Sequence, residues 1–399
     1  MEKIARNVGF FIWIGEPNNC ISGYINIWKK SYPNSDFELW IDPSALLANK
    51  INDVILCGKS SIEERLSRQD RFHSYCRYNS GNSIDTNIIE YSKIHKPEIT
   101  ESLIKHRRKI ESDLLSVKNN LNIRYLSENS FYNKETYRLY QKEITLRQNL
   151  ASASDLARLS LLYKMGGTYI DVDTLPCLKD IHQIHHINKN SITELVLSES
   201  ILCKIEPNSR TLSCEQLKHL IDIIKKDCFI NFYYITKAIH RVGSFPKFSS
   251  LPTLCSNDAL HLSVKDDAEF NNNILRCHKQ SRLVRIIIKE CLRRYRYIEL
   301  WEYDKPTSTR VGNSSYYNRL KNYRLDGLQD IENATLLLSG PVLILEVIIG
   351  VYYSLSSTDK NISESEVCTL IQNAPFNLGI RQQTRMTGQE TRSSWLKTV

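Results

Sequence analysis

At 399 residues, with 41% hydrophobic and 24% charged residues, the chain is long enough to bury a large core and has the make-up of a globular protein. A formal net charge of +9 favours anionic partners such as nucleotides, acidic headgroups or acidic protein surfaces, without choosing among them. The 11 scattered cysteines contain no Cys-x-x-Cys, which argues against a disulfide framework and a thiolate zinc site and leaves reduced thiols as the simplest account.

Lys3 and Arg6 precede the apolar run Val8–Ile14. That run is short, rich in aromatic and β-branched residues and followed by no small-x-small cleavage site, so it reads as a first strand rather than a signal peptide. Gly15-Glu16-Pro17 then leads to a helix with apolar Ile21, Tyr24, Ile25 and Trp28, and a second strand is expected at Phe37–Ile41. Asp42-Pro43 has the form of a helix start, with Asp as cap and Pro as first residue. Strand-helix-strand-helix with short connections implies a parallel pair and a doubly wound sheet.

Residues 50–150 are polar and helical in pattern. The basic cluster Lys105–Lys109 has Glu98, Glu101, Glu111 and Asp113 at helical spacing, which predicts a solvated, salt-bridged face. No aromatic interleaving or base-reading motif accompanies it, so no nucleic-acid partner is expected.

A helix over residues 151–165 has apolar Leu156, Leu159, Leu162 and Met165, and Gly166-Gly167 stops it. Asp155 and Arg158 lie three apart on it and share a face. A strand at Thr168–Asp173 follows, closed by Pro176. On an extended segment Asp171 and Asp173 point to the same side, with β-branched Val172 between them. Such a pair can ligate one hard divalent cation that bridges nucleotide phosphates.

Beyond the strand, His182, His185 and His186 stand in an Asn/Lys-rich loop without supporting carboxylates and read as surface histidines. Arg282–Arg296 is expected to be a core helix with a basic outer face, its apolar side carrying Leu283, Ile286, Ile287 and Leu292. Ala334–Leu355 is long enough to span a bilayer, yet Ser339-Gly340-Pro341 interrupts it and Glu346 lies inside it, so strand, turn and helix are expected instead of a membrane span. The tail from Gln372 lacks periodicity and reads as a loop, although it holds Glu390 and Trp395.

Taken together these landmarks resemble the catalytic domain of the large clostridial glucosylating toxins, the toxin A and toxin B type. Phe10-Phe11-Ile12-Trp13-Ile14-Gly15 is similar to the family's first strand, Gly23 to Lys29 to the helix after it, and Ile41-Asp42-Pro43-Ser44-Ala45 to the next strand end. The run Arg147 to Asp155, the Asp171-Val172-Asp173 triplet, Leu338-Ser339-Gly340-Pro341 and the Glu-x-x-Ser-x-Trp spacing of Glu390, Ser393 and Trp395 follow in the family's order. No landmark falls between residues 55 and 130 or between 180 and 260. The toxins carry an N-terminal membrane-binding bundle and later protease, translocation and receptor-binding regions. This chain starts at the first strand, which fits a stand-alone effector or an excised catalytic domain.

The resemblance implies an α/β fold of the GT-A glycosyltransferase type, with a mixed, mostly parallel central sheet and many additional helices. It implies one domain over residues 1–399, with a helical insertion at about 55–130 and a donor-site loop at 380–399. The implied activity is retaining transfer of glucose or N-acetylglucosamine from a UDP-sugar to a protein hydroxyl, on a host small GTPase, by a secreted bacterial effector acting in the host cytosol. Peripheral membrane contact remains open.

By the same resemblance, Asp173 would ligate Mn²⁺ or Mg²⁺, and Asp171 would hold the ribose or sugar and reach the metal through water. Asp155 and Arg158 would bind sugar hydroxyls, with Arg158 near the diphosphate. Trp13 would stack on uracil, Tyr169 would pack at the ribose, and Ser154 and Asn272 would line the donor site. Glu390 and Ser393 would complete the metal shell, and Trp395 would donate its indole N–H to the leaving phosphate oxygen. The alternatives are an Asp-x-Asp transferase acting on a glycan, of capsular or Golgi mannosyl- or galactosyltransferase type, and a UDP-sugar-binding module without catalysis.

Overall fold

The computed structural model describes residues 8–17, 21–56, 61–118, 121–172, 174, 260–264, 270–303, 320, 323–325, 334–355 and 380–382. Strand β1 (Val8–Trp13), helix α1 (Ile21–Ser31) and strand β2 (Asp36–Ile41) open the fold. β1 and β2 pair in parallel from Val8↔Asp36 to Trp13↔Ile41, as the short strand-helix-strand spacing requires. Helices α2 (Ile51–Ile55), α3 (Ile62–Tyr78), α4 (Ile84–His95) and α5 (Pro97–Lys118) come next, then strand β3 (Asn122–Tyr125), which the polar pattern did not reveal. Helix α6 (Lys134–Lys142), a π-helical turn at Glu143–Arg147, helix α7 (Leu150–Met165) and strand β4 (Gly167–Ile170) lead into the site.

Strands β5 (Leu260–Val264) and β6 (Phe270–Cys277), helices α8 (Arg282–Tyr303), α9 (Ala334–Leu338) and α10 (Pro341–Leu355), and strand β7 (Ile380–Gln382) follow. The sheet order is β3-β2-β1-β4-β6-β5-β7. β4 and β5 each run antiparallel to β6, and the other pairings are parallel.

Two apolar cores cover the two faces of this sheet. Phe10 and Ile12 of β1 join Leu156, Leu159 and Leu162 of α7, while Phe11 between them joins Ile25 and Trp28 of α1. A strand covered on both sides reads as an unbroken apolar run, which explains the Val8–Ile14 segment. Burying one such Phe or Leu contributes about 1.5–3 kcal/mol.

Several expectations change. Asp42 starts a tight turn rather than a helix: its Oδ1 accepts from the Ser44 N–H and Oγ, and helical structure begins only at Ala48. The segment before Ser339 is helix α9, not a strand; the Thr335 carbonyl accepts from both Ser339 and Gly340 N–H groups and closes it, and Pro341 begins α10. This Ala334–Val351 stretch is long and apolar enough to cross a membrane, and half of it is buried inside the protein. In the tail, Ile380–Gln382 forms β7 against β5, so that part is not loop.

Arg107 in the basic cluster does more than face solvent, because its Nε bonds buried Asp85 at 3.1 Å. On α8, Ile286 is 41% exposed while Arg294 turns inward to Glu290 and Glu346, so the two faces are not divided as the sequence pattern suggests. The histidines at 182, 185 and 186 lie outside the described residues.

Candidate active site at the carboxyl ends of strands β1 and β4

β1 and β4 are parallel neighbours, paired at Gly9↔Thr168 and Phe10↔Tyr169, so Trp13 and Asp171 leave the same edge of the sheet. In open α/β sheets that edge is where ligands bind. Helix α7 delivers the remaining groups. Its N-cap Asn149 accepts from the Ser152 N–H, and at its other end Gly166, with φ +68°, turns the chain into β4. A Cβ on Gly166 would come within 2.4 Å of the Lys279 nitrogen, so the turn demands glycine twice over.

Asp155 and Arg158 share one face of α7 as their spacing requires. Arg158 Nη2 lies 3.1 Å from Asp155 Oδ1 and 3.1 Å from Asp171 Oδ1, while its Nη1 donates to the Asn272 carbonyl at 2.8 Å. The guanidinium also lies over the Tyr169 ring, 4.3 Å from the centroid. The Tyr169 hydroxyl donates to Asp171 Oδ1. The Asn272 amide donates to Asp155 Oδ1 at 3.2 Å, and the Ser339 hydroxyl donates to Asp155 Oδ2 at 2.8 Å.

Burial controls the proton affinities. Asp155 has no exposed surface, which pushes its carboxyl up to about 7 against the opposing pull of Arg158, Ser339 and Asn272, with Asp171 adding to the rise. Asp171 is raised as well, by burial first, with Arg158 and the Tyr169 hydroxyl holding it down. Burial keeps Tyr169 protonated as a donor.

Two expected ligand contacts are therefore not open surfaces in this structure. Both Asp155 oxygens are met by protein donors, and Tyr169 is 1% exposed beneath Arg158, with its hydroxyl committed to Asp171 and Ser154. These side chains hold Arg158 and Asp171 in place. Trp13, by contrast, is partly exposed, packs beside the α1-side core, and donates its indole N–H to the Glu16 carbonyl at 2.8 Å. Ser154 is half-buried, and Asn272 is buried.

The strand ends before the carboxylates. β4 stops at Ile170, and the Thr174 N–H bonds the Asp171 carbonyl at 3.0 Å, so Asp171 opens a turn instead of lying on an extended segment. Asp173, Glu390, Ser393 and Trp395 lie outside the described residues. Among the described residues no group of three or more His, Cys, Asp or Glu side chains could hold a metal. The one expected participant that is described, Asp171, offers carboxylate oxygen at 20% side-chain exposure, donor chemistry that fits a hard divalent cation.

Ser339 had no assigned role in the sequence reading, although its Ser-Gly-Pro setting drew attention. A turn residue meeting a helix carboxylate 184 positions away leaves no local signal. The described cysteines, Cys76, Cys277 and Cys291, are free and buried, and burial lifts Cys76 and Cys277 to about 12.

Comparison with known proteins places this geometry. A family model described as the TcdA/TcdB catalytic glycosyltransferase domain matches residues 9–67 and 57–310, including the stretches where the sequence offered no landmark. Over 456 aligned residues the chain is 25% identical to Toxin A of Clostridium novyi, covering 99% of this chain and 20% of that protein. It is 30% identical to Toxin B of Clostridioides difficile over 202 residues, covering 44% of this chain and 8% of that protein. The chain thus spans a fifth or less of the length of these relatives.

Among solved structures, the catalytic domain of alpha-toxin from Clostridium novyi matches with a TM-score of 0.64 at 19% identity, over 92% of this chain and 76% of that one. The UDP-bound glycosyltransferase domain from the YGT toxin matches with a TM-score of 0.60 at 16% identity, over 98% and 83% respectively. At these identities the structures establish the fold, the mixed and mostly parallel GT-A type expected from the sequence.

Proposed function

The chain belongs to the TcdA/TcdB catalytic glycosyltransferase domain family, and from that premise we propose that it transfers a hexose or N-acetylhexosamine from a UDP-sugar to a hydroxyl of a host protein. The observation that carries the reading is the Asp155–Arg158–Asp171 constellation, closed by Asn272 and Ser339 at the carboxyl edge of the sheet. A cation-carboxylate cluster buried except at the Asp171 side chain is costly as a stability device, because desolvation opposes the attraction. It suits a site that must hold one guanidinium rigidly beside a phosphate group.

In this reading Trp13 stacks on uracil, Arg158 faces the diphosphate, and Asp155 and Tyr169 hold Arg158 and Asp171 at fixed positions. The family is of the metal-dependent type. Asp173, Glu390 and Ser393 would hold Mn²⁺ or Mg²⁺, with Asp171 reaching it through water. A bound divalent cation would offset the negative charge that develops on the departing UDP. The bond between the sugar's anomeric carbon and the phosphate oxygen breaks with the electron pair leaving on UDP, a bond to the acceptor oxygen forms, and the acceptor proton is released to solvent. Trp395, with the tail beyond strand β7 folded over the donor, would donate to the leaving oxygen and exclude water. Retention of anomeric configuration, a small-GTPase acceptor and action in the host cytosol belong to the same proposal, supported by the family and by relatives named as toxins.

The test is UDP-sugar hydrolysis with Mn²⁺, followed by mass spectrometry of host lysate incubated with a panel of UDP-sugars. Metal-dependent turnover that disappears in an Asp171→Asn/Asp173→Asn variant, together with a hexose or N-acetylhexosamine mass added to a protein, is the expected result. Equal background rates in both proteins and no UDP binding would overturn it.

A further inference from the structure

The Asp171–Thr174 turn is held at its first residue by the sheet and the site. The Asp171 N–H donates to the Asn273 carbonyl at 2.7 Å, and the Asp171 carboxylate meets Arg158 and Tyr169. At its last residue the contact comes from the opposite face of the sheet. The indole N–H of Trp28, on α1, donates to the Thr174 carbonyl at 2.7 Å across 146 positions of sequence.

Trp28 is 1% exposed, stacks on Tyr32 with ring centroids 5.5 Å apart, and lies against Phe37. Those contacts need only an aromatic ring, which a phenylalanine would also supply. What the indole adds is one donor, aimed at a carbonyl of a residue with no exposed surface. Val172, the second residue of the turn, packs on the same core cluster as Trp28. The turn is therefore tied to α1 by a hydrogen bond and to the core cluster that α1 helps to form by an apolar contact.

We propose that Trp28 is a positioning residue for the donor site, fixing through its indole N–H the turn that Asp171 opens and Thr174 closes. Its role in donor binding rests on the UDP-sugar reading above, whereas its restraint of the turn does not. The carboxylate at position 173 immediately precedes the anchored residue, so a loosened Thr174 carbonyl allows the turn to open and weakens metal-assisted nucleotide binding. Nucleotide contacts that need no metal, such as stacking on Trp13, are left intact.

The test uses the full chain with Trp28→Phe, and a second variant carrying 3-benzothienylalanine at position 28, which keeps the bicyclic shape and replaces the N–H with sulfur. Two quantities are measured. One is hydrogen exchange of the peptide covering residues 167–175 in ligand-free protein. The other is the dissociation constant for UDP in Mn²⁺ and in EDTA. Faster exchange in that peptide, with UDP affinity in Mn²⁺ weakened roughly five- to tenfold and affinity in EDTA unchanged, is the expected result for both variants.

Unchanged exchange in the benzothienyl variant overturns the proposal outright. Faster exchange with unchanged UDP affinity in Mn²⁺ overturns the donor-site role and leaves Trp28 as a fold anchor. Wild-type protein that fails to bind UDP in Mn²⁺ overturns the nucleotide reading itself, and the exchange measurement then decides the restraint alone.

Discussion

Arg158 and Asp171 meet with 3.1 Å between Nη2 and Oδ1, joining the middle of helix α7 to the residue just past the end of strand β4. The same nitrogen stands 3.1 Å from Asp155, so one guanidinium sets the distance between two carboxylates that would otherwise repel. Tyr169 supports the arrangement from below with its ring and from the side with its hydroxyl.

Arg158→Lys keeps the charge but loses the planar fork that serves Asp155, Asp171 and the Asn272 carbonyl together. Steady-state kinetics should show kcat/KM reduced by about 10²-fold or more. Arg158→Ala leaves Asp155 buried and unpaired and should cost about 3–5 kcal/mol in urea unfolding. A lysine variant with wild-type turnover would remove Arg158 from the donor site.

Ser339→Ala takes away the hydrogen bond to Asp155 Oδ2 in a place with no access to water. The expected loss is about 1–3 kcal/mol of stability, with turnover reduced because Asp155 then shifts against Arg158. Equilibrium unfolding and kinetics on the same preparation check both. A variant as stable and as active as wild type would show that Ser339 contributes nothing.

His73 links α3 to the π-helical turn, 2.8 Å from Thr145 Oγ1. Thr145 spends its own proton on the Gln141 carbonyl, so His73 Nδ1 carries the hydrogen. Burial, aided by Lys142, Arg77, Arg324 and Arg138, lowers the His73 pKa from 6.5 to about 4. The unfolded chain therefore binds more protons than the native one between these values. The stability contributed by neutral His73 is fully present above pH 6.5 and is lost as pH falls toward 4. The loss amounts to up to ~3 kcal/mol. His73→Asn should flatten that part of the pH profile when urea unfolding is compared at pH 7 and pH 4.5, and a variant with the wild-type slope would contradict the assignment.

Deletion of residues 389–399 removes the proposed lid with Glu390, Ser393 and Trp395. Turnover should fall by about 10²-fold or more, while the melting temperature stays within a few degrees. Full activity in the shortened protein would sink the lid role for this segment.

Much of this architecture was legible along the chain. The β1–α1–β2 unit, the α7 helix, the shared face of Asp155 and Arg158, and the family order of landmarks all rest on local spacing, which the backbone's periodicities convert directly into geometry. The same local reading misassigned the segment before Ser339, because Ala334–Leu338 is a short apolar run that strand and buried helix share equally. It also took Asp171 and Val172 as extended, whereas the turn closing on Thr174 depends on backbone bonds beyond the strand.

Taken alone, the sequence determined which residue types carry the chemistry, two of them on one helical face and the carboxylates at a strand end, because nearest-neighbour spacing dictates which side chains share a face. Tertiary structure alone decided what those groups touch. It buried Asp155 so that its oxygens serve Arg158, Asn272 and Ser339, and it brought the Trp28 indole to the Thr174 carbonyl from the far face of the sheet. Partners separated by 114 to 184 positions meet only when the whole sheet is assembled, and no short-range pattern encodes such a meeting.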